Sequence, residues 1–167
     1  MKKAVIVLGI VLVLLSAFYV VNAFIYEGKQ SKTVMYPDGE YFGYIRTFTD
    51  NGTAIDFDDA VWLTEETGAA DAAIAAGDCT EREYCTPNGF YIYNKTIVTT
   101  RLPVSPNVEV KMLTWKMEET GQVTETPIPT IEFVELINNR SLYWKDIPYT
   151  VTIANGEITK ILERYVP

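Results

Sequence analysis

Histidine is absent from all 167 residues, and cysteine occurs only twice. The first absence removes Ser-His-Asp and Cys-His nucleophilic systems, together with histidine-ligated zinc, iron and copper centres. Neither a G-x-x-x-x-G-K-[ST] loop nor a G-x-G-x-x-G turn occurs, so nucleotide phosphates lack a familiar cradle and no cofactor is expected. Positive charge is also scarce. Fourteen Lys and Arg stand against 22 Asp and Glu, a formal net charge of −8, and two of the bases, Lys2 and Lys3, precede an apolar segment. Nucleic-acid binding draws most of its affinity from neutralised phosphates, so a body this acidic is not expected to bind nucleic acid.

What the chain does contain is apolar and aromatic. Hydrophobic residues make up 48% and aromatics 13%, with eleven tyrosines, which is ample material for one β-rich core. The amino terminus, "MKKAVIVLGIVLVLLSAFYVVNAFIY", runs from Ala4 to Val21 without a charge. From Ala4 to Tyr26 a helix would reach about 34 Å, enough for a hydrocarbon core of about 30 Å. The expectation is a single-pass anchor over residues 1–26 in the cell membrane, with Lys2 and Lys3 in the cytoplasm and the carboxy-terminal domain outside it. The alternative is a signal segment cleaved after Ala23, because Val21-Asn22-Ala23 is an acceptable small-residue site. A polar tether over residues 27–40 and an extracytoplasmic domain over residues 41–167 complete the expected division.

Location bears on Cys79 and Cys85. In an oxidising compartment an even cysteine count reads first as a disulfide. A zinc site needs four ligands, and only Asp78, Glu81 and Glu83 lie near to supplement the pair; a redox centre would favour C-x-x-C. A structural disulfide is expected, worth on the order of 2.4 kcal/mol for so short a loop.

Short apolar runs alternate with turn residues from Tyr41 onward. "YFGYIRTF", "TAIDFDDAVWL", "FYIYN", "TIVTTRLPV" and "VEVKMLTWKM" read as strands, the last two broken at Ser105-Pro106-Asn107. "TEETGAADAAIAAGD" reads as a helix capped by Thr64, ended by Gly77 and anchored by Ile74. "TPIPTIEFVELINN" suggests a second, short helix from Thr130 with Ile131, Val134 and Ile137 on one face. In "PYTVTIANGEITKILERYVP", Asn155-Gly156 is a two-residue hairpin signal. Pairing Ala154 with Glu157 puts Ile153 opposite Ile158, Val151 opposite Lys160 and Tyr149 opposite Leu162. The expected fold is α+β: an N-terminal transmembrane helix, then a compact domain of about seven short, mostly antiparallel strands. They would form a curved sheet or small, partly open barrel with one or two packing helices.

Candidate chemistry rests on carboxylates and rings. Asp56, Asp58 and Asp59 in "DFDD" could hold a cation or act as acid and base, but the spacing fails the EF-hand pattern. Strand alternation would place Asp56 and Asp58 on a solvated face opposite Ile55 and Phe57. Tyr41, Phe42, Tyr44, Phe90, Tyr91, Tyr93, Tyr143 and Trp144 are read as core; exposed, such rings could stack on sugars or line a partner surface. Asn51, Asn94 and Asn139 begin glycosylation sequons, of use only in a host with that machinery.

The succession "YFGYIRTF", "IDFDDAVWLTEETGAADAAIAAG", "PNGFYIYN", "TTRLPVSPNVEV" and "YTVTIANGEITKILERYVP" resembles a loose family of small exported bacterial proteins, helix-anchored or signal-bearing. The resemblance spans Tyr41 to Pro167, and "AVWLT" and "ERYVP" are its most distinctive parts. It implies export and a single domain, and supplies no catalytic residues. Two functions are therefore carried forward. The first is a non-enzymatic extracytoplasmic domain that binds a protein or envelope component. The second is a carboxylate-dependent cation-binding module or hydrolase centred on Asp56, Asp58 and Asp59.

Overall fold

A computed structural model describes residues 36–139 and 146–166 of the chain. The expected anchor, most of the tether, and Tyr143 and Trp144 lie outside the described residues. Among the described residues no helix is long and apolar enough to cross a membrane.

Eight strands are described: β1 (Gly39–Thr49), β2 (Ala54–Asp59), β3 (Val61–Thr64), β4 (Phe90–Tyr93), β5 (Thr99–Met112), β6 (Thr126–Pro127), β7 (Pro148–Ala154) and β8 (Glu157–Glu163). Five of them close into a barrel in the order β2-β1-β7-β8-β5, with β5 returning to β2. All of these pairings are antiparallel except β5–β8, which is parallel. Counting barrel strands alone along the chain, the closed order is 1-2-3-5-4-1, the connectivity of a five-stranded Greek-key barrel of the OB type. Such a scaffold hosts unrelated functions, so activity must be read from side chains. Strand β6 adds to the far end of β5, and β3 and β4 form a separate two-stranded hairpin carried by the insertion between β2 and β5. The continuous run "TAIDFDDAVWL" is thus divided at Ala60 between the barrel and that hairpin. In contrast, β5 continues as one strand through Ser105-Pro106-Asn107, where a break was expected, although its register against β8 slips there, between Val104 and Glu109.

Two bulges set which side chains enter the barrel. In β1, Ile45 and Phe48 are both buried although three positions apart, and the register against β2 slips between Ile45 and Thr47. A regular strand would send one of them outward, so an extra residue, Arg46, is absorbed between them. In β8, Ile158 and Ile161 pose the same problem, and the register against β7 slips after Ile153. The hairpin turn at Asn155-Gly156 forms as expected, with φ of 55° and 78°. Beyond it, Val151 faces Ile161 and Tyr149 faces Glu163, one position from the expected register, so Lys160 is left outside.

The helices also depart from expectation in detail. Gly68, at φ 87°, splits the alanine-rich segment into a 3-10 turn, Glu65–Thr67, and α1, Ala69–Ala76. Thr64 and Thr67 cap the turn reciprocally, and Gly77 closes the helix. Ala69, Ala70 and Ala73 are its buried face, whereas the expected anchor Ile74 is exposed. In α2, Thr130–Asn139, the buried stripe is Phe133, Leu136 and Ile137. Ile131 lies outside it at 67% exposure. The Phe133 ring sits edge-on between Phe48 and Tyr149, at 5.7 and 5.5 Å, and so ties α2 to the barrel core. Asn138 completes the attachment. Its Oδ1 accepts from the Phe48 amide at 2.9 Å and its Nδ2 donates to the Phe48 carbonyl at 3.1 Å, beyond Tyr44↔Pro148, where the pairing of β1 with β7 ends. Tyr36, expected in the tether, packs against this core as well.

Candidate functional site

The three acids of "DFDD" sit where alternation put them but do not share a site. Asp58 lies on the outer surface of β2, yet it is 1% exposed because the returning segment of the insertion covers it. The solvated face expected for it is therefore wrong at this position. Its Oδ2 accepts from Arg46 Nε at 3.0 Å, Arg46 Nη2 at 2.6 Å and Asn94 Nδ2 at 3.0 Å, while Oδ1 accepts from the Val98 amide at 3.0 Å. The bulge in β1 aims Arg46 at this carboxylate, and the guanidinium lies 4.6 Å from the centre of the Tyr44 ring. Asp58 is a knot fastening the insertion to the barrel. Asp56 turns to Arg101, with 3.2 Å to its Nε, and Asp59 accepts from the Tyr36 hydroxyl. Burial, and then that bond to Asp59, push the Tyr36 phenol up to about 12. Among the described residues no group of three His, Cys, Asp or Glu is disposed to hold a metal ion.

A second carboxylate is used in the same way. Glu163, fully buried, accepts from the Leu113 amide at 2.8 Å, the Thr114 amide at 3.1 Å and the Thr114 hydroxyl at 2.5 Å. It satisfies the backbone where β5 ends. At the far side of the insertion, the sulfurs of Cys79 and Cys85 lie at disulfide distance, with Cα atoms 5.5 Å apart. The Tyr91 hydroxyl donates to Asp78 at 2.5 Å, holding the end of α1 beside β4. Of the sequons, Asn94 spends its amide on Asp58, while Asn51 and Asn139 are exposed.

The aromatics divide between core and surface. Tyr41 packs against the barrel core, as expected, but Phe42 faces outward and meets Trp62 of the β3–β4 hairpin edge-on at 5.5 Å. Trp62 in turn stacks on Phe90 at 4.1 Å, with planes 21° apart. These rings border a groove of about 510 Å³ that crosses the outer surface of β1, β7 and β8. Glu40, Tyr41, Phe42, Thr150, Leu162 and Arg164 line it together with Trp62. The Arg164 guanidinium lies 5.9 Å from the centre of the Trp62 ring. Arg46, Arg82 and Arg101 each reach a carboxylate. Arg164 has no acidic partner among the described residues, and the side chains of Glu40 and Thr150 make no hydrogen bond or ion pair there. The groove therefore combines an aromatic wall with one cation, one anion and the Thr150 hydroxyl, none of them engaged by another polar side chain among the described residues, while the Tyr41 hydroxyl is spent on the Pro37 carbonyl.

Of this lining only Tyr41 and Phe42 stood out in the sequence, both expected in the core; Glu40, Trp62, Thr150, Leu162 and Arg164 did not. Trp62 and Arg164 stand 102 positions apart, and only barrel closure with the inserted hairpin brings them together. The one local signal was Phe42, whose alternation with Tyr41 and Gly43 must send one ring of the pair outward. Comparison of the chain with models of known families, with curated proteins and with solved structures gives no match.

Proposed function

We propose that this chain is a non-enzymatic binding module whose groove beside Trp62 takes up a component of the cell envelope. In this reading it is held at the outer face of the membrane by its amino-terminal segment. The observation that carries it is a contrast in how polar groups are spent. Asp56, Asp58, Asp59 and Glu163 are each committed to a base, a tyrosine or the backbone, so none of these four stands ready as an acid or base. Glu40, Thr150 and Arg164, in the groove, remain available. Ligand sites characteristically pair an apolar, aromatic lining with a few such groups, and their volumes run from about 300 to 1,000 Å³. Two further features favour the location: the charged start followed by an 18-residue apolar run, and a cysteine pair at disulfide distance, which suits an oxidising compartment.

The test is retention on the envelope. After detergent extraction of host cells, the full-length chain is expected to sediment with the cell-wall fraction, and Thr150→Arg, which fills the groove without touching the core, to release it into the soluble fraction. Equal retention of both proteins would remove the groove from the account. Release of both would remove envelope binding altogether.

A further inference from the structure

The groove's chemistry is selective enough to name a class of ligand, on the reading just given that it is a binding site. We infer that it binds a neutral, hydroxyl-rich glycan chain, with sugar rings against the aromatic wall and their hydroxyls held by Glu40, Thr150 and Arg164.

Three features of the lining lead there. The first is charge. Arg164 contributes one positive and Glu40 one negative group, so the rim is neutral, and the surrounding chain, at −8, repels polyanions. An acidic polymer or a phosphate-rich surface is disfavoured on both counts. The second is hydrogen-bonding character. A sugar hydroxyl is donor and acceptor at once. It is satisfied where a donor-only guanidinium, an acceptor-only carboxylate and a hydroxyl that does both stand around one groove. A strongly apolar ligand would leave these groups desolvated and unpaired. The third is shape. Trp62 is braced by Phe90 on its stacked side and by the edge of Phe42, so the wall is rigid before any ligand arrives and little ordering entropy is lost on binding. Phe90 holds one face of Trp62 and the Arg164 guanidinium lies over the ring at 5.9 Å, so a pyranose would meet the wall at the Trp62 edge and the Phe42 ring, with the guanidinium beside it to take its hydroxyls. The groove also opens onto the outer surface of the barrel, where an extended chain can pass along it.

The experiment is calorimetric titration of the full-length chain in detergent with two hexasaccharides of matched length, one of N-acetylglucosamine and one of galacturonic acid, at low and high salt. The neutral hexasaccharide is expected to bind with an affinity that salt leaves unchanged, because no net charge is neutralised. Arg164→Ala and Thr150→Ala should each weaken it by about tenfold. Ile131→Ala, on the exposed face of α2, should not alter it. Trp62→Ala removes the wall, but its packing role in the hairpin makes the two rim variants the cleaner evidence. Tighter binding of the galacturonic acid chain, or equal affinity in both rim variants, would overturn the inference. So would failure of the neutral chain to bind. If neither hexasaccharide binds while Thr150→Arg still releases the protein from the cell wall, the binding-module reading stands and the glycan assignment alone falls.

Discussion

Asp58 is the buried carboxylate on which the attachment of the insertion to the barrel rests. The side chain is 1% exposed and accepts four hydrogen bonds, two from Arg46 and one each from Asn94 and the Val98 amide. Removing one member of a buried charged pair costs about 3–5 kcal/mol. Arg46, however, retains 21% exposure and has Asp146 at 3.6 Å as a second partner, so part of its charge stays compensated. Asp58→Ala is therefore placed at the lower end, about 3 kcal/mol, or roughly 10 °C in Tm for a domain of this size. Asp58→Asn keeps the shape and isolates the hydrogen-bond geometry. A carboxamide has only one acceptor atom. With its oxygen toward Arg46 and Asn94, its NH2 confronts the Val98 N–H; reversed, the NH2 confronts Arg46. Either way a donor meets a donor, at about 1–3 kcal/mol. Urea denaturation gives the stability. Amide hydrogen exchange at Val98 shows where the loss falls, since the knot fastens the insertion to β2. An Asp58→Asn protein within about 0.5 kcal/mol of the original, or one with unchanged exchange at Val98, would refute the reasoning.

Four other outcomes follow from named contacts. Gly43→Ala places a Cβ 2.3 Å from the Asp58 carbonyl oxygen and 2.9 Å from Phe57 Cζ; a loss near 3 kcal/mol is expected from chemical denaturation, because the nearest obstacle is backbone. Glu163→Ala strips three donors of their acceptor and should cost about 3 kcal/mol, with Glu163→Gln nearer 1, on the same assay. Tyr36, held protonated up to about 12 by burial and the bond to Asp59, adds stability that is fully present below pH 10, the ordinary phenol value, and is lost as pH climbs through 12. Ultraviolet titration of tyrosinate should show late-titrating groups, Tyr36 and Tyr91 among them, of which one moves toward 10 in Asp59→Asn. Millimolar calcium should leave the melting temperature unchanged. A rise that disappears in Asp58→Asn would restore the cation-binding reading.

Local chemistry was readable where one or two residues decide a backbone path. Asn155-Gly156 makes the β7–β8 turn, Gly77 closes α1, and Thr130 to Asn139 is helical. What escaped was mostly a matter of parity. Ile45 and Phe48, like Ile158 and Ile161, are spaced by three, which no regular strand can bury together; that odd spacing is a bulge signal, and it puts Phe48 inside the barrel and Lys160 outside. Gly68 was visible too, but the alanines that follow it and the Thr64 cap with Glu65 and Glu66 before it favour one continuous helix. The candidate site is a different kind of problem. Whether Asp58 faces water depends on residues 94 to 98 folding back over it, and whether Trp62 meets Arg164 depends on closure of the barrel. Neither relation leaves a mark in any short window of sequence.

The central claim is that the groove beside Trp62, and not the aspartates of β2, is where this protein meets its surroundings. Photo-crosslinking in intact host cells tests it most directly, with a photoreactive residue placed at Thr150 in one full-length protein and at Ile131 in another. An adduct is expected from position 150 that disappears when Arg164→Ala is added, and none from position 131. Absence of an adduct at 150, or the same adduct from both positions, would contradict it.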